Sequence, residues 1–139
     1  MRTLSLPGIF KIGYLEAEKL SPQLMLKSQA GIPIAVLTDI VDVAFIGKPT
    51  CSAVSEEDNN GRSEKTTLVF STLQDIPTDR ALAWVVQCVN GKNYLIGTKE
   101  RPSPIMKISE DLGVPSGNVS AKEIEITHIA LKSLLLVAV

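Results

Sequence analysis

The sequence predicts a mainly β protein: an antiparallel β-sandwich or barrel with at most one or two short helices. Apolar and polar residues alternate with a period of two in one segment after another, and Gly, Pro, Asn and Asp separate these segments. Helical periodicity is weak, with candidates at residues 15–30 and 76–82. Because 139 residues suit a single core, we expect one β-rich domain spanning residues 1–139.

The first half of the chain contains an extended segment, a strand and a charged hairpin tip. Glycine and proline interrupt the apolar residues around Ile9 and Ile12, which indicates extended or bulged backbone, and residues 41–45 alternate well enough for a strand. Residues 55–65, SEEDNNGRSEK, do not match the ligand spacing of a calcium loop. We interpret them as a mobile, charged loop at a hairpin tip, a type of segment that can become ordered against a neighbouring subunit.

The clearest local signal is WVVQCVNGKNYLIGTKE, residues 84–100. Asn90-Gly91 tolerates the positive φ angles of a two-residue primed turn, and apolar runs flank it, so this segment predicts a hairpin. Both faces of the first run are apolar, which predicts a central strand covered on both sides. One face carries Leu82, Trp84, Val86 and Cys88, and the other carries Ala83, Val85 and Val89.

Further strands are predicted on either side of this hairpin. Leu68 and Phe70 share one face of the strand before it, and a short strand follows Pro104. Residues 122–131, KEIEITHIAL, alternate so that one face meets solvent and the other a core. The turn-rich stretch 110–120 between these strands is expected to be an exposed loop.

The chain ends in LLLVAV, an apolar segment too short to span a membrane. An unpaired apolar edge strand invites association, so this segment is the candidate subunit interface. Its interface residues would be Leu134, Leu135, Leu136, Val137 and Val139. The alternative is a terminal strand buried within its own sheet.

Composition and charge exclude several classes of partner. Fourteen basic residues against fifteen acidic ones give a net charge of -1, which removes the phosphate attraction on which nucleic-acid binders rely. The N-terminus lacks the apolar core of a secretory signal, and no run reaches the length of a membrane helix, so we expect a cytoplasmic protein. Aromatic residues make up 4% of the chain, which argues against carbohydrate-binding and single-strand-binding modules.

Candidates for chemistry are few. His128 is the single His, and because it continues the Ile124–Ile126 face, we interpret it as a core imidazole hydrogen-bonded to a neighbour. Cys51 and Cys88 lack CxxC spacing and are interpreted as small buried apolar residues, with a disulfide or a reactive thiol as alternatives. We therefore predict no catalytic residue, no metal site and no cofactor. An enzyme would require one of these thiols to meet His128 and a carboxylate in one cleft.

From Val85 onward, the chain contains in order the segments VVQCVNGKNYLIGTKERPSP, DLG and EIEITHIALKSLLL. This order resembles that of small β proteins encoded in prophage-like regions of gut-dwelling Bacteroidetes. This resemblance implies a role in virion assembly, such as a tail or head-tail connector component. It contains no catalytic motif. We therefore expect a non-enzymatic structural subunit of a homo-oligomeric, virion-like assembly. The alternative is a monomeric β-module that binds a small molecule or peptide in an apolar pocket, with His128 as a candidate polar group.

Overall fold

A computed structural model describes residues 2–5, 8–20, 40–58, 61–99, 103–110, 122–130 and 134–137. Within these ranges the protein is mainly β, as predicted, with a single 3-10 turn at Ala17–Lys19. The strands are β1 (Arg2–Ser5), β2 (Ile9–Glu16), β3 (Val41–Val43), β4 (Phe45–Asp58), β5 (Gly61–Thr72), β6 (Leu82–Cys88), β7 (Asn93–Ile96), β8 (Ile105–Glu110), β9 (Lys122–Ala130) and β10 (Leu134–Val137).

The strands form two antiparallel sheets of five strands each. Sheet A has the order β1-β4-β5-β9-β8, and sheet B has the order β10-β7-β6-β2-β3. The chain enters the sheets alternately, mostly in pairs of successive strands: β2 and β3 in sheet B, β4 and β5 in sheet A, and so on. Throughout the described residues the sheets remain separate, and a shared core lies between them. Of the two predicted architectures, the sandwich is therefore the one observed.

The β6–β7 hairpin is confirmed, but the predicted two-residue turn is wrong. The Gly91 N–H donates to the Cys88 carbonyl at 3.1 Å, which places Val89 and Asn90 at the centre of the turn. Gly91 follows with a φ of 84°, so the loop has three residues and ends in a left-handed glycine. The Asn90 side-chain oxygen accepts a hydrogen bond from the Lys92 N–H at 3.0 Å, and this bond favours the longer loop.

The charged segment 55–65 is a hairpin tip, as predicted, but it is mostly strand and not a loop. β4 and β5 remain paired through Asp58↔Gly61, so the connection is reduced to residues 59 and 60, which lie outside the described residues. Paired backbone satisfies its own hydrogen bonds, which is why charged side chains along this segment are compatible with regular strands.

Other sequence expectations have mixed outcomes. β2 is bulged between Ile9 and Lys11, as the glycine and proline pattern indicated. The helix candidate at 76–82 is wrong: residues 76–81 are irregular and Leu82 begins β6. Of the candidate at 15–30, the described part holds the end of β2 and the 3-10 turn, and the rest lies outside the described residues. The expected loop at 110–120 lies outside them too, apart from the last residue of β8.

The core between the sheets is aliphatic around one aromatic group. Trp84 of β6 lies between Phe70 of β5 and Tyr14 of β2, with ring centroids 5.6 Å apart in both pairs. These tilted geometries are favourable beyond the area they bury. The buried residues of this core are Ile12, Val43, Cys51, Ala53, Leu68, Phe70, Ile76, Leu82, Trp84, Val86, Cys88, Ile96, Ile124 and Ile126.

Sheet B has a second core on its opposite face. It consists of Leu15, Leu20, Ala83, Val85, Leu95, Leu135 and Val137, with Ile40 packed against them. Because β6 contributes to both cores, the prediction of a central strand covered on both sides is confirmed. Val89 was wrongly assigned to this strand: it lies in the turn and is 68% exposed.

Replacing Gly13 tests the packing of β3 and Ile40 on β2. A Cβ at Gly13 would collide with Ile40 Cγ2 and lie 3.2 Å from the Val41 carbonyl oxygen. We expect Gly13→Ala to lower the free energy of unfolding by about 1–3 kcal/mol, the usual cost of overpacking, in urea denaturation. Gly8→Ala is the control, because a Cβ there would meet Val89 at 3.4 Å, an ordinary contact. Equal stability of the two variants would contradict this packing.

Candidate functional site

The C-terminal strand, predicted to form an interface, is the edge strand of sheet B. β10 pairs with β7 in the register Leu135↔Leu95 and Val137↔Asn93. The side chains of Leu135 and Val137 are buried in the second core of their own chain. Val139 lies outside the described residues, and of Leu134 and Leu136 the backbone alone is described. An interface here remains a prediction, and it would have to use the backbone edge of β10 in addition to any side chains.

The burial of Leu135 gives a direct test of its role in the fold. We expect Leu135→Ala to lower the free energy of unfolding by about 2–5 kcal/mol, the cost of removing a large core side chain. The loss should be the same in denaturation experiments at low and high protein concentration, because the contacts are within one chain. Val89→Ala, at an exposed turn position, is the control. A loss no larger than that of the control, or one that depends on protein concentration, would contradict core packing of Leu135.

The exposed aliphatic side chains of sheet A concentrate at its β8 edge. Ile105 is 71% exposed and lies opposite Thr127 of β9, diagonal to Ile129, which is 53% exposed. Ile108, on the other face of β8, is 38% exposed. Within the described strands, β8 pairs on one side only, with β9. This edge therefore combines unpaired backbone with exposed apolar surface, a combination that favours association with another chain.

The alternation after Pro104 predicts this strand but does not show that Ile105 is exposed. The available signal was Pro104 immediately before Ile105, because proline at the start of a strand is typical of sheet edges.

The outward face of sheet A carries hydroxyl, charged and aliphatic side chains. Ser52, Thr67 and Thr127 follow one another across β4, β5 and β9 in a single register row, and all three are half-buried. One row further along, Glu125 lies opposite Lys107 of the edge strand. In contrast to sheet B, this face carries no large buried aliphatic cluster among the described residues.

His128 is a buried core residue, as its position in the strand predicted. It is 3% exposed and lies opposite Thr66 of β5. The expected hydrogen-bond partner is not found at one nitrogen: the buried Nδ1 atom has none in the structure as described. Burial lowers the pKa of the imidazole below its usual 6.5, since the charged form would lose its hydration. The neutral imidazole is therefore the form that the fold favours.

This lowered pKa makes the stability of the protein depend on pH. At pH values above about 7, His128 is neutral in both states and contributes no pH dependence. Below about pH 6.5, the unfolded chain binds a proton that the folded imidazole resists, so the free energy of unfolding should fall as the pH decreases towards 5.5. His128→Gln, which cannot titrate, should flatten this part of the profile in urea denaturation across the range. Parallel profiles for the native chain and the variant would contradict the assignment.

Both cysteines are buried free thiols of the core between the sheets. Burial, with a smaller effect of the nearby Cys88, raises the pKa of Cys51 to about 12, and burial raises the pKa of Cys88. The thiols therefore stay protonated at neutral pH, and a protonated thiol is a poor nucleophile. Their burial confirms the interpretation of both as small apolar residues. The effect of Cys88 on the pKa of Cys51 shows in addition that the two thiols lie near each other.

A charged cleft of about 300 Å³ opens beside the end of β2, lined by Glu16, Glu18, Asp79, Arg80 and Ala81. The Arg80 guanidinium donates to Glu16 and, at 3.2 Å, to Asp79. Hydrogen bonding to Arg80 lowers the pKa of Asp79. The cleft does not include His128 and is polar, unlike the apolar pocket of the small-molecule hypothesis.

Among the described residues, no group of three or more His, Cys, Asp and Glu side chains is placed to hold a metal ion.

Comparisons with known protein families, with curated proteins and with solved structures found no match to this chain. In the described ranges, no helix has the length and apolar character needed to cross a membrane.

Proposed function

We propose that this protein is a non-enzymatic structural subunit of a homo-oligomeric assembly. The β8 edge carries the proposal, because Ile105 and Ile108 are exposed on a strand that pairs on one side only within the described strands. Strand edges with exposed aliphatic side chains gain both backbone hydrogen bonds and apolar burial when a second chain covers them. In the proposed homo-oligomer, a second copy of the same chain covers the β8 edge.

The interior of the sandwich supports this proposal over a binding module. The inner faces of both sheets are filled by large aliphatic side chains around Trp84, so their space is used for packing. Of the side chains that line the cleft at Arg80, those of Glu16, Asp79 and Arg80 already pair with one another. Ligand sites are usually concave and mainly apolar, with a few convergent polar groups, and this cleft lacks the apolar part.

We further propose that the assembly is virion-like, with the chain acting as a tail or head-tail connector component formed in the cytoplasm. The support is the resemblance of the segment from Val85 onward to prophage-encoded β proteins. The hairpin that carries this resemblance is a central structural element, since β6 packs on both faces. A framework role for this segment agrees with a structural protein.

The solution mass of the full chain tests the proposal. Light scattering coupled to size-exclusion chromatography should give a multiple of the 15.0 kDa chain mass. Ile105→Lys should shift the mass towards that of one chain, because an ammonium group cannot be buried at the edge without a partner. Its circular dichroism spectrum should match that of the native chain, since the side chain is exposed in the single chain and the fold does not depend on it.

Val89→Lys is the control, an equally exposed aliphatic position in the β6–β7 turn, and it should leave the mass unchanged. A full chain that stays monomeric at every concentration would refute the homo-oligomer. That result would favour the monomeric β-module, with the Arg80 cleft as the first site to probe with small ligands.

A further inference from the structure

β3 forms an edge of sheet B and, among the described strands, pairs on one side only, with β2. The Val41 carbonyl oxygen lies 3.2 Å from the position that a Cβ on Gly13 of β2 would take, so this carbonyl faces β2. Successive carbonyl groups of a strand point to opposite sides, and the Asp42 carbonyl therefore faces away from β2. Backbone groups that face outward from an edge are those to which a strand of another chain can add.

The side chain of Gln74 binds to these outward-facing groups. Its Nε2 atom donates to the Asp42 carbonyl at 3.3 Å, and its Oε1 atom accepts from the Ala44 N–H, also at 3.3 Å. A carboxamide offers the same kinds of donor and acceptor as a backbone peptide group. Gln74 therefore makes the two kinds of hydrogen bond with this edge that an added strand would make.

The segment that carries Gln74 is anchored on both sides. The Gln74 N–H donates to Thr72 Oγ1 at 3.0 Å, and the Thr72 hydroxyl donates to the Ala44 carbonyl at 2.7 Å. Thr72 is buried at the end of β5, and Ile76, two residues beyond Gln74, is buried in the core between the sheets. Both backbone polar groups of Ala44 are thus bonded to this segment, which holds the Gln74 side chain against the edge.

We propose that Gln74 closes the β3 edge of sheet B against strand addition. Its carboxamide occupies the Asp42 carbonyl and the Ala44 N–H, so a second copy of the chain cannot use them to extend the sheet. A side chain ends where it binds, and unlike a strand it presents no further row of backbone groups. The exposed ion pair between Lys11 and Asp42, at 3.5 Å, adds charges that oppose addition at the same edge. Association is then directed to other edges, such as that of β8.

Hydrogen exchange followed by NMR tests the contact itself. In Gln74→Ala the Ala44 N–H loses its acceptor, and its exchange should become roughly fivefold faster, as the loss of one hydrogen bond implies. Gln87→Ala, the same truncation on β6 of the same sheet, is the matched control and should leave the exchange of Ala44 unchanged. Equal exchange of Ala44 in the native chain and in Gln74→Ala would overturn the inference.

Light scattering tests the consequence for association. The comparison is made with Ile105→Lys, in which the β8 edge is blocked, so its result does not depend on the proposed homo-oligomer. Ile105→Lys/Gln74→Ala should give a larger mass than Ile105→Lys at the same concentration, because the β3 edge is open. Adding Asp42→Pro should restore the lower mass. The N–H of Asp42 points to the same side as its carbonyl, and proline lacks this donor.

Each outcome of the mass measurement decides the inference. No gain in mass on loss of the carboxamide would show that Gln74 does not protect the edge. A gain that Asp42→Pro leaves in place would put the association elsewhere and would also overturn the inference. Circular dichroism checks the fold, and if Gln74→Ala loses it, Gln74→Met takes its place. Methionine keeps the length of the side chain without its hydrogen bonds, so the same gain in mass is expected. A native chain that is monomeric would refute the proposed function and leave this inference standing.

Discussion

The contact between Trp84 of sheet B and Phe70 of sheet A joins the two sheets of the sandwich, and Tyr14, on the strand next to Trp84, packs against the same indole ring. The chain contains one Trp, two Tyr and three Phe, and one residue of each type meets at this point. Aliphatic side chains alone would fill the remaining volume with little to fix the relative position of the sheets. Tilted aromatic pairs supply a directional preference. β5 and β6 are the central strands of their sheets, so this contact joins the sheets at their centres and the remaining strands pair outward from it.

The two sheets present different outward faces. Sheet B uses its outer face for a second core, so β6 is buried on both sides. Sheet A presents hydroxyl and charged side chains, an aliphatic edge at β8 and a charged hairpin tip. The two thiols and the imidazole are buried, and burial favours the uncharged form of each.

Periodicity and turn residues were sufficient to predict the class of fold and most strands. Side-chain direction in a strand alternates with every residue. For this reason, the alternation around Ile124 and the apolar faces around Trp84 predicted which side chains are buried. The sequence could not show that Leu135 packs against Leu95 or that Cys51 approaches Cys88, since these contacts depend on strand order. Nor could it distinguish a loop from a strand at residues 55–65. Charged side chains are compatible with an exposed loop and also with a strand whose backbone is paired, as it is here.

Because β6 contributes side chains to both cores, it should be the most protected element of the fold, and native-state hydrogen exchange followed by NMR tests this most directly. Backbone amides of Leu82–Cys88, covered on both faces, should exchange through global unfolding alone, with a free energy equal to that from denaturation. Amides of β3 (Val41–Val43), at the edge of sheet B, should exchange through smaller local openings. Exchange of the β6 amides as rapid as that of the β3 amides would contradict this order of protection.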